Sequence, residues 1–432
     1  MIKTPLLEGF FLFLHMFKKE SIPYIFLFIF LSIPIYPQND TMDVIGWQWV
    51  LMAILNLGLF IYTYFNLGIT KPKGVELKVL LGLFCIMCIS ILYATNISLA
   101  IQDASRWLQI IIMIWLFGLH FKNKVISYNI IAKICLVFLF IEVNVVLIPL
   151  YLELIINGLS ILEAVSIDTN VFNGLTGNKN IAAASIAVKL PLILYLLNDH
   201  KMLWRILGVL TGMLSVISIL FIAARASYIS LGCIVLCASL YGLFYNKSKK
   251  TYYTSLILSI GSGLLISYLL LPNASSNAMV EKVASISFTE KGSSGRNFLW
   301  KDAINYGLEH PLTGGGIGSW KIESAPYWNA HGSEYLVPYH AHNDFLELFA
   351  ELGVVGIMLY LLLFLIMGYK FIKKGLFIRS QNNSFYYFAT LSLGAYFLDS
   401  VFNFPMERTI MMLSFALLII LSQNSTIEKY EK

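Results

Sequence analysis

Charge is the first thing this chain has little of. Only 12% of its 432 residues are Asp, Glu, Lys or Arg, 58% are hydrophobic, and the mean hydropathy is +0.74. A soluble protein of this length needs far more polar surface around its core, so a soluble globular fold is excluded. Cysteine is scarce too. Cys85, Cys88, Cys135, Cys233 and Cys237 all lie inside apolar runs, which argues against a disulfide framework. Cys85 and Cys88 have C-x-x-C spacing but sit in mid-run with no second pair or nearby histidine, whereas zinc needs four converging ligands. The first apolar segment lacks a small-residue cleavage site and is expected to be a retained anchor. No repeat of fixed period and no low-complexity tract appears. The net charge of +6 is small and sits on one set of loops, so it fits membrane orientation and not nucleic-acid binding.

What the sequence does have is apolar runs. They centre near residues 22–37, 45–66, 77–94, 105–121, 129–150, 181–197, 203–223, 227–245, 253–271, 352–371, 385–402 and 408–423. Runs of this length cross a bilayer as helices, which predicts an all-α integral membrane protein of about twelve transmembrane helices. The loops between them alternate in charge. One set ("HMFKKE", "TKPKGVELK", "FKNKV", "NDHKMLWR", "YNKSKK", "YKFIKKGLFIR" and the C-terminal tail) holds about 20 of the 30 Lys and Arg. Short basic loops stay cytoplasmic, so both termini are expected inside and the other loops outside.

The chain then divides into transmembrane helices over 1–272, a large extracytoplasmic loop over 273–350, and further transmembrane helices over 351–432. Within the loop, "GRNFLWKDAINYGLEHP" has helical spacing and is stopped by Pro311, and "TGGGIGSW" follows as a glycine-rich stretch. The latter lacks the G-K-[ST] ending of a phosphate loop and is expected to be a tight turn with close backbone approach. A second helix is expected from about Asn343, with Asn343 or Asp344 as its cap.

Ionisable residues at the edge of an apolar run are costly, and "YHAHNDFLELFAELGVVG" begins with two histidines and ends in a span. The outward-facing set comprises Arg106, Lys179, Arg225, Arg296, His340, His342 and Arg408. Histidine can take a proton from a hydroxyl near neutral pH, and a guanidinium matches phosphate oxygens with a planar fork. Set against these roles are plainer ones: an interfacial arginine reaching for headgroups, and a structural pair of histidines. Two histidines two apart could bind a metal, but no third or fourth ligand is evident. Glu347 and Glu351 share one helix face, and either could orient a histidine. His331 is expected to be solvated.

The ordered set of these motifs resembles the O-antigen ligase and O-antigen polymerase superfamily, which includes bacterial protein O-oligosaccharyltransferases. The matching positions are Arg296 and Trp300, then Pro311, Gly314 and Gly316, then His342, Asn343, Leu346 and Glu347 running into Glu351, Gly353 and Gly356. "TGNKNIAAASIA" and "AARASYISL" resemble two further spans of that family, with Ala224 standing where serine is usual. The resemblance implies a GT-C-type glycosyltransferase that needs neither metal nor cofactor. It would move a glycan from undecaprenyl diphosphate to an acceptor at the periplasmic face of the bacterial inner membrane. It further implies His342 as base, with His340 beside it, and Arg225, Arg296 and Arg408 around the diphosphate. Asn343 and Glu347 would support them. The acceptor, whether lipid A-core, a growing glycan or a protein hydroxyl, stays open. A lipid-glycan transporter is the rival class, although transporters place ionisable residues deep in paired repeats.

The loop charges generate a test of topology. A reporter active only outside the cytoplasm should work when fused within 273–350 and fail when fused after Lys249. The reverse pattern would overturn the assigned face.

Overall fold

The computed structural model describes residues 18–36, 43, 45–122, 127–155, 171–245, 249–270, 296–331, 339–378 and 382–424. The first part of the long loop, 273–295, lies outside these residues, as does the side chain of His331. Every regular element among the described residues is a helix, and none is a strand. That follows from composition, because a helix satisfies its own backbone polar groups where no water can.

Helix α1 (Ile22–Ser32) continues as a short 3₁₀ turn, and α2 (Gly46–Asn66), α3 (Val75–Ser90), α4 (Ile97–Lys122) and α5 (Tyr128–Ile155) follow. Next come α6 (Lys179–Leu194), α7 (Met202–Ile222), α8 (Arg225–Phe244), and α9 (Lys249–Leu256) joined through a π turn to α10 (Ser262–Leu270). The long loop contributes α11 (Arg296–Glu309) and α12 (Trp320–His331). The chain re-enters the bundle through α13 (Asp344–Ile372), α14 (Asn383–Phe402) and α15 (Thr409–Gln423). Each expected apolar run lies on one of these helices. Among the described residues, eight helical stretches are long and apolar enough to cross a membrane, and Ile22–Ile35 and Thr409–Gln423 are shorter apolar helices.

Of the eight long stretches, the one containing α6 is the most enclosed, and α6 packs against α5, α7, α8, α14 and α15. Its small residues Ala182, Ala183, Ala184 and Ala187 are buried and let neighbouring backbones approach closely. Lys189 of α6 lies among them, paired with Glu142 of α5 at 2.9 Å and bonded to Ser185. A buried charge of this kind is tolerated only when paired.

One boundary differs from the sequence expectation. The stretch from Ile97, read as loop, is the first part of α4. Its polar side chains stay helical because they are satisfied from elsewhere: Gln102 and Arg106 by Asp43, and Asp103 by Lys321 of α12.

The feature that places the site is a break in α13. Gly353 has φ 66° and ψ −165°, so the helix ladder is interrupted at its first turns. An interruption frees carbonyls and N–H groups that must be paired inside a protein. The glycine turn pairs them: Gly315 N donates to Ala350 O at 2.9 Å, Gly316 N to Glu351 O at 2.8 Å, and Val354 N donates back to Pro311 O at 2.8 Å. The expected close-approach turn is therefore present, and its partner is the broken helix. Gly314 has φ 64°, and a Cβ there would lie 2.2 Å from the Glu351 carbonyl carbon.

Gly314→Ala should therefore destabilise the protein by more than the roughly 1–3 kcal/mol of left-handed strain alone. Gly232, where an added methyl would meet nothing within 4 Å, should accept Ala without loss. Thermal unfolding of both variants in detergent is the measurement. Equal midpoints would remove the turn from its role.

Candidate active site

The site is assembled by four segments that are far apart in sequence: the start of α8, the N-terminal turn of α11, the 339–343 stretch before α13, and the 403–408 turn between α14 and α15. Asn343 caps α13, its Oδ1 accepting from Phe345 N at 3.0 Å and Leu346 N at 3.1 Å. Glu347, one turn on, reaches back over the loop. Its Oε1 pairs with His340 Nδ1 at 3.1 Å and its Oε2 accepts from Ala341 N at 2.8 Å. The orienting carboxylate expected for a histidine is thus Glu347, and the histidine it holds is His340. Glu351 does something else, accepting from Trp320 N at 3.2 Å where α12 begins.

His342 is left-handed, with φ 53°, and its Nδ1 is buried without a hydrogen-bond partner among the described residues. Burial first, then the charges of Arg296 and His340, lower its pKa to about 3. The imidazole is therefore neutral at pH 7. Both histidines meet one ring. Phe404 stacks on His340 with centroids 4.3 Å apart and lies edge-on to His342 at 4.9 Å.

Arg296, the first residue of α11, is held by the same turn. Its Nη1 donates to Phe402 O at 2.5 Å and its Nη2 to Asn403 Oδ1 at 3.2 Å, while Asn403 Nδ2 donates to Asp399. These direct partners are neutral oxygens, so the guanidinium charge is not cancelled by contact with a carboxylate. Burial lowers its pKa, Asp399 opposes that and Arg225 adds to it; an arginine nonetheless stays protonated. Arg225 opens α8, half-buried and near enough for its charge to act on Arg296. Arg408 lies over the Phe404 ring at 5.3 Å. All seven residues singled out for the site from sequence (His340, His342, Asn343, Glu347, Arg225, Arg296 and Arg408) come into this one neighbourhood.

Two other cations behave differently. Lys321 bonds Asp103 at 2.8 Å and Glu407 at 3.2 Å, and Arg106 reaches Asp43 at 2.8 Å and Glu407 at 3.5 Å. Burial would raise the Glu407 pKa, but Lys321, His340 and Arg106 outweigh it and hold the carboxyl ionised. This network ties α4, α12 and the 403–408 turn together. Arg106, grouped with the outward cations from sequence, belongs to it. Glu407 also completes a trio with His340 and Glu347 whose ligand atoms lie within 4.8 Å of one another. They are the residues that could approach a cation, but Lys321 and Arg106 already neutralise Glu407, and His342 is not among them.

Phe404, Asn403, Asp399, Glu407 and Lys321 carry no signal in the sequence that marks them for the site. Arg408 flags the 403–408 turn, but nothing in "NFPMER" says that its phenylalanine and asparagine face a segment sixty residues earlier.

Fold and site together define an all-helical integral membrane protein with a histidine–arginine site at the ends of its helices. Residues 210–361 match the family model described as O-antigen ligase. That stretch includes Arg225, Arg296, the glycine turn, both histidines and the α13 break. Two curated proteins are similar over part of their length, each named "Putative polysaccharide ligase". The protein from Rickettsia conorii is 27% identical over 143 residues and that from Rickettsia felis 27% identical over 138. Each match covers 31% of this chain and 32% of the relative, so the chain matches about a third of the length of these relatives.

The ion-pair network makes its own prediction. Lys321→Met strips Asp103 and Glu407 of their shortest ion pairs, leaving only the 3.5 Å contacts of Arg106, and should cost up to about 3–5 kcal/mol. Adding Asp103→Asn should recover part of that loss, because one uncompensated charge is removed. An unchanged unfolding midpoint in Lys321→Met would show that the network does not hold these elements together.

Proposed function

We propose that the chain is a membrane glycosyltransferase of the O-antigen ligase type. It moves a glycan from an undecaprenyl-diphosphate carrier to an acceptor hydroxyl at the periplasmic face of the bacterial inner membrane. The observation that carries this reading is that one turn meets both His342, through the Phe404 ring, and a guanidinium, Arg296, that no carboxylate touches among the described residues. A general base must be unprotonated to take a proton, and a departing diphosphate needs cations whose charge is still available.

In the reaction, His342 takes the proton of the acceptor hydroxyl as that oxygen bonds to the anomeric carbon. The bond from this carbon to the diphosphate oxygen breaks, and its electron pair leaves with the carrier. Its Nδ1 being buried, His342 acts through Nε2. Arg296, Arg225 and Arg408 hold the diphosphate as charge builds on it, with the planar fork that phosphate oxygens fit. His340, held by Glu347, lines the acceptor side. The carrier's own sugar–diphosphate bond supplies the energy, so the step needs no nucleotide, and with arginines as the electrophilic groups it needs no metal. About twelve helices cross the membrane in this reading, as in a GT-C-type enzyme, with both termini cytoplasmic. Lipid A-core, a growing glycan and a protein hydroxyl all offer the same attacking group, and the polymerase and protein-transferase readings share this chemistry.

The test is transfer by purified protein from a polyprenyl-diphosphate-linked oligosaccharide. Lipid A-core, an oligosaccharide and a Ser/Thr peptide are offered in turn as acceptors. His342→Ala should lower the initial rate by about 10²–10⁴-fold with carrier binding preserved. Arg296→Ala should weaken transfer severely, and Arg296→Lys should restore only part, keeping charge but losing the fork. Near-parental transfer by His342→Ala would remove it as the base, and parental transfer by Arg296→Ala would remove the clamp.

A further inference from the structure

A histidine acting as base is usually aimed by a hydrogen bond from its second nitrogen to a carboxylate or carbonyl. Among the described residues, no such bond reaches His342. Glu347 bonds His340 Nδ1 and Ala341 N instead, and Asp344, two residues on, accepts from Tyr360. His342 Nδ1 is buried with no hydrogen-bond partner among the described residues. Something other than a hydrogen bond therefore fixes the ring.

Two things touch its orientation. One is the backbone: φ 53° is a left-handed setting that a residue with a side chain adopts only when its surroundings impose it, here the Asn343 cap on one side and the Glu347 bond to Ala341 N on the other. The other is Phe404, whose ring meets the imidazole at an interplanar angle of 81° and a centroid distance of 4.9 Å, the edge-to-face arrangement that aromatic quadrupoles favour. Phe404 is itself immobilised. It is 5% exposed, stacked on His340 and covered by the Arg408 guanidinium. Its turn is fastened to Arg296 through Phe402 O and Asn403 Oδ1 and to Lys321 and Arg106 through Glu407.

We propose that Phe404 is the positioning residue for His342: its ring, in place of a hydrogen-bond acceptor, sets the direction in which the imidazole faces. This rests on the reading of His342 as the base. Phe404 touches no reacting atom; it acts through the histidine, and because its neighbours Phe402 and Asn403 hold Arg296, base and diphosphate clamp are set by one turn.

The experiment is a double-mutant cycle measured as transfer from the same polyprenyl-diphosphate oligosaccharide to the acceptor that serves the parent best. Phe404→Leu keeps an apolar filler but removes the ring; it should lower kcat by about 10–100-fold, the scale of a misaimed catalytic group, and leave KM for the carrier within about twofold. Phe404→Tyr keeps the ring and should restore most of the rate. In a His342→Ala background, Phe404→Leu should cost less than about twofold more, since the residue it aims is gone. If Phe404→Leu fails to accumulate, Phe404→Met takes its place in the cycle. Parental turnover in the ring-less variant, no rescue by Tyr, or an equal loss in both backgrounds would each overturn the proposal while leaving the base assignment standing. Parental transfer by His342→Ala alone would instead overturn the base reading, and this one with it.

Discussion

The break at Gly353 and the glycine turn that closes it govern the rest of this structure. A helix interrupted near a membrane face leaves backbone groups that neither lipid nor the helix itself can pair. Three backbone bonds from the Pro311–Gly316 stretch pair them and so fasten the long loop to the head of α13. Once that contact is made, α11 and α12 have fixed positions, Glu351 meets the start of α12, and Glu347 one turn earlier meets the histidine loop. Glycine is required at Gly314 because backbone meets backbone there, and any side chain would stand between the two. The run of glycines that looks like a phosphate loop is a joint between two pieces of protein.

Charge in the site is divided by what it touches. Lys321 and Arg106 are bonded directly to Asp103, Asp43 and Glu407, and their charge is spent holding α4, α12 and the 403–408 turn together. Arg296 is held just as firmly, yet by a carbonyl and an amide oxygen, with Asp399 one residue removed behind Asn403. A neutral cradle fixes a guanidinium without cancelling it, which is what an anion-binding group requires. The same segregation appears in the two histidines: His340 has a carboxylate on its ring nitrogen, and His342, two residues on, is half-buried and neutral, its Nδ1 enclosed.

Long apolar runs separated by short basic loops are enough to read an all-helical membrane protein, because burial of backbone polar groups in lipid leaves few alternatives. The sequence also carries the local geometry on either side of His342: Asn343 as a cap, Pro311 as a stop and the glycines as a turn are signals that act within a few residues of themselves. Arg296, His342 and Glu347 stand out because polar groups at the edge of an apolar run are conspicuous. What the sequence does not supply is partnership across long separations. Nothing near Lys321 announces Asp103, 218 positions earlier, and nothing near Phe404 announces the two rings it meets. Glu347 and Glu351 are alike in sequence, four apart on one helix face, and only the docking of α12 and the histidine loop gives them different partners. Local propensities determined where most helices begin and end; the extension of α4, the break in α13, which face meets which, and therefore which cation keeps its charge, were decided by the packing of the whole bundle.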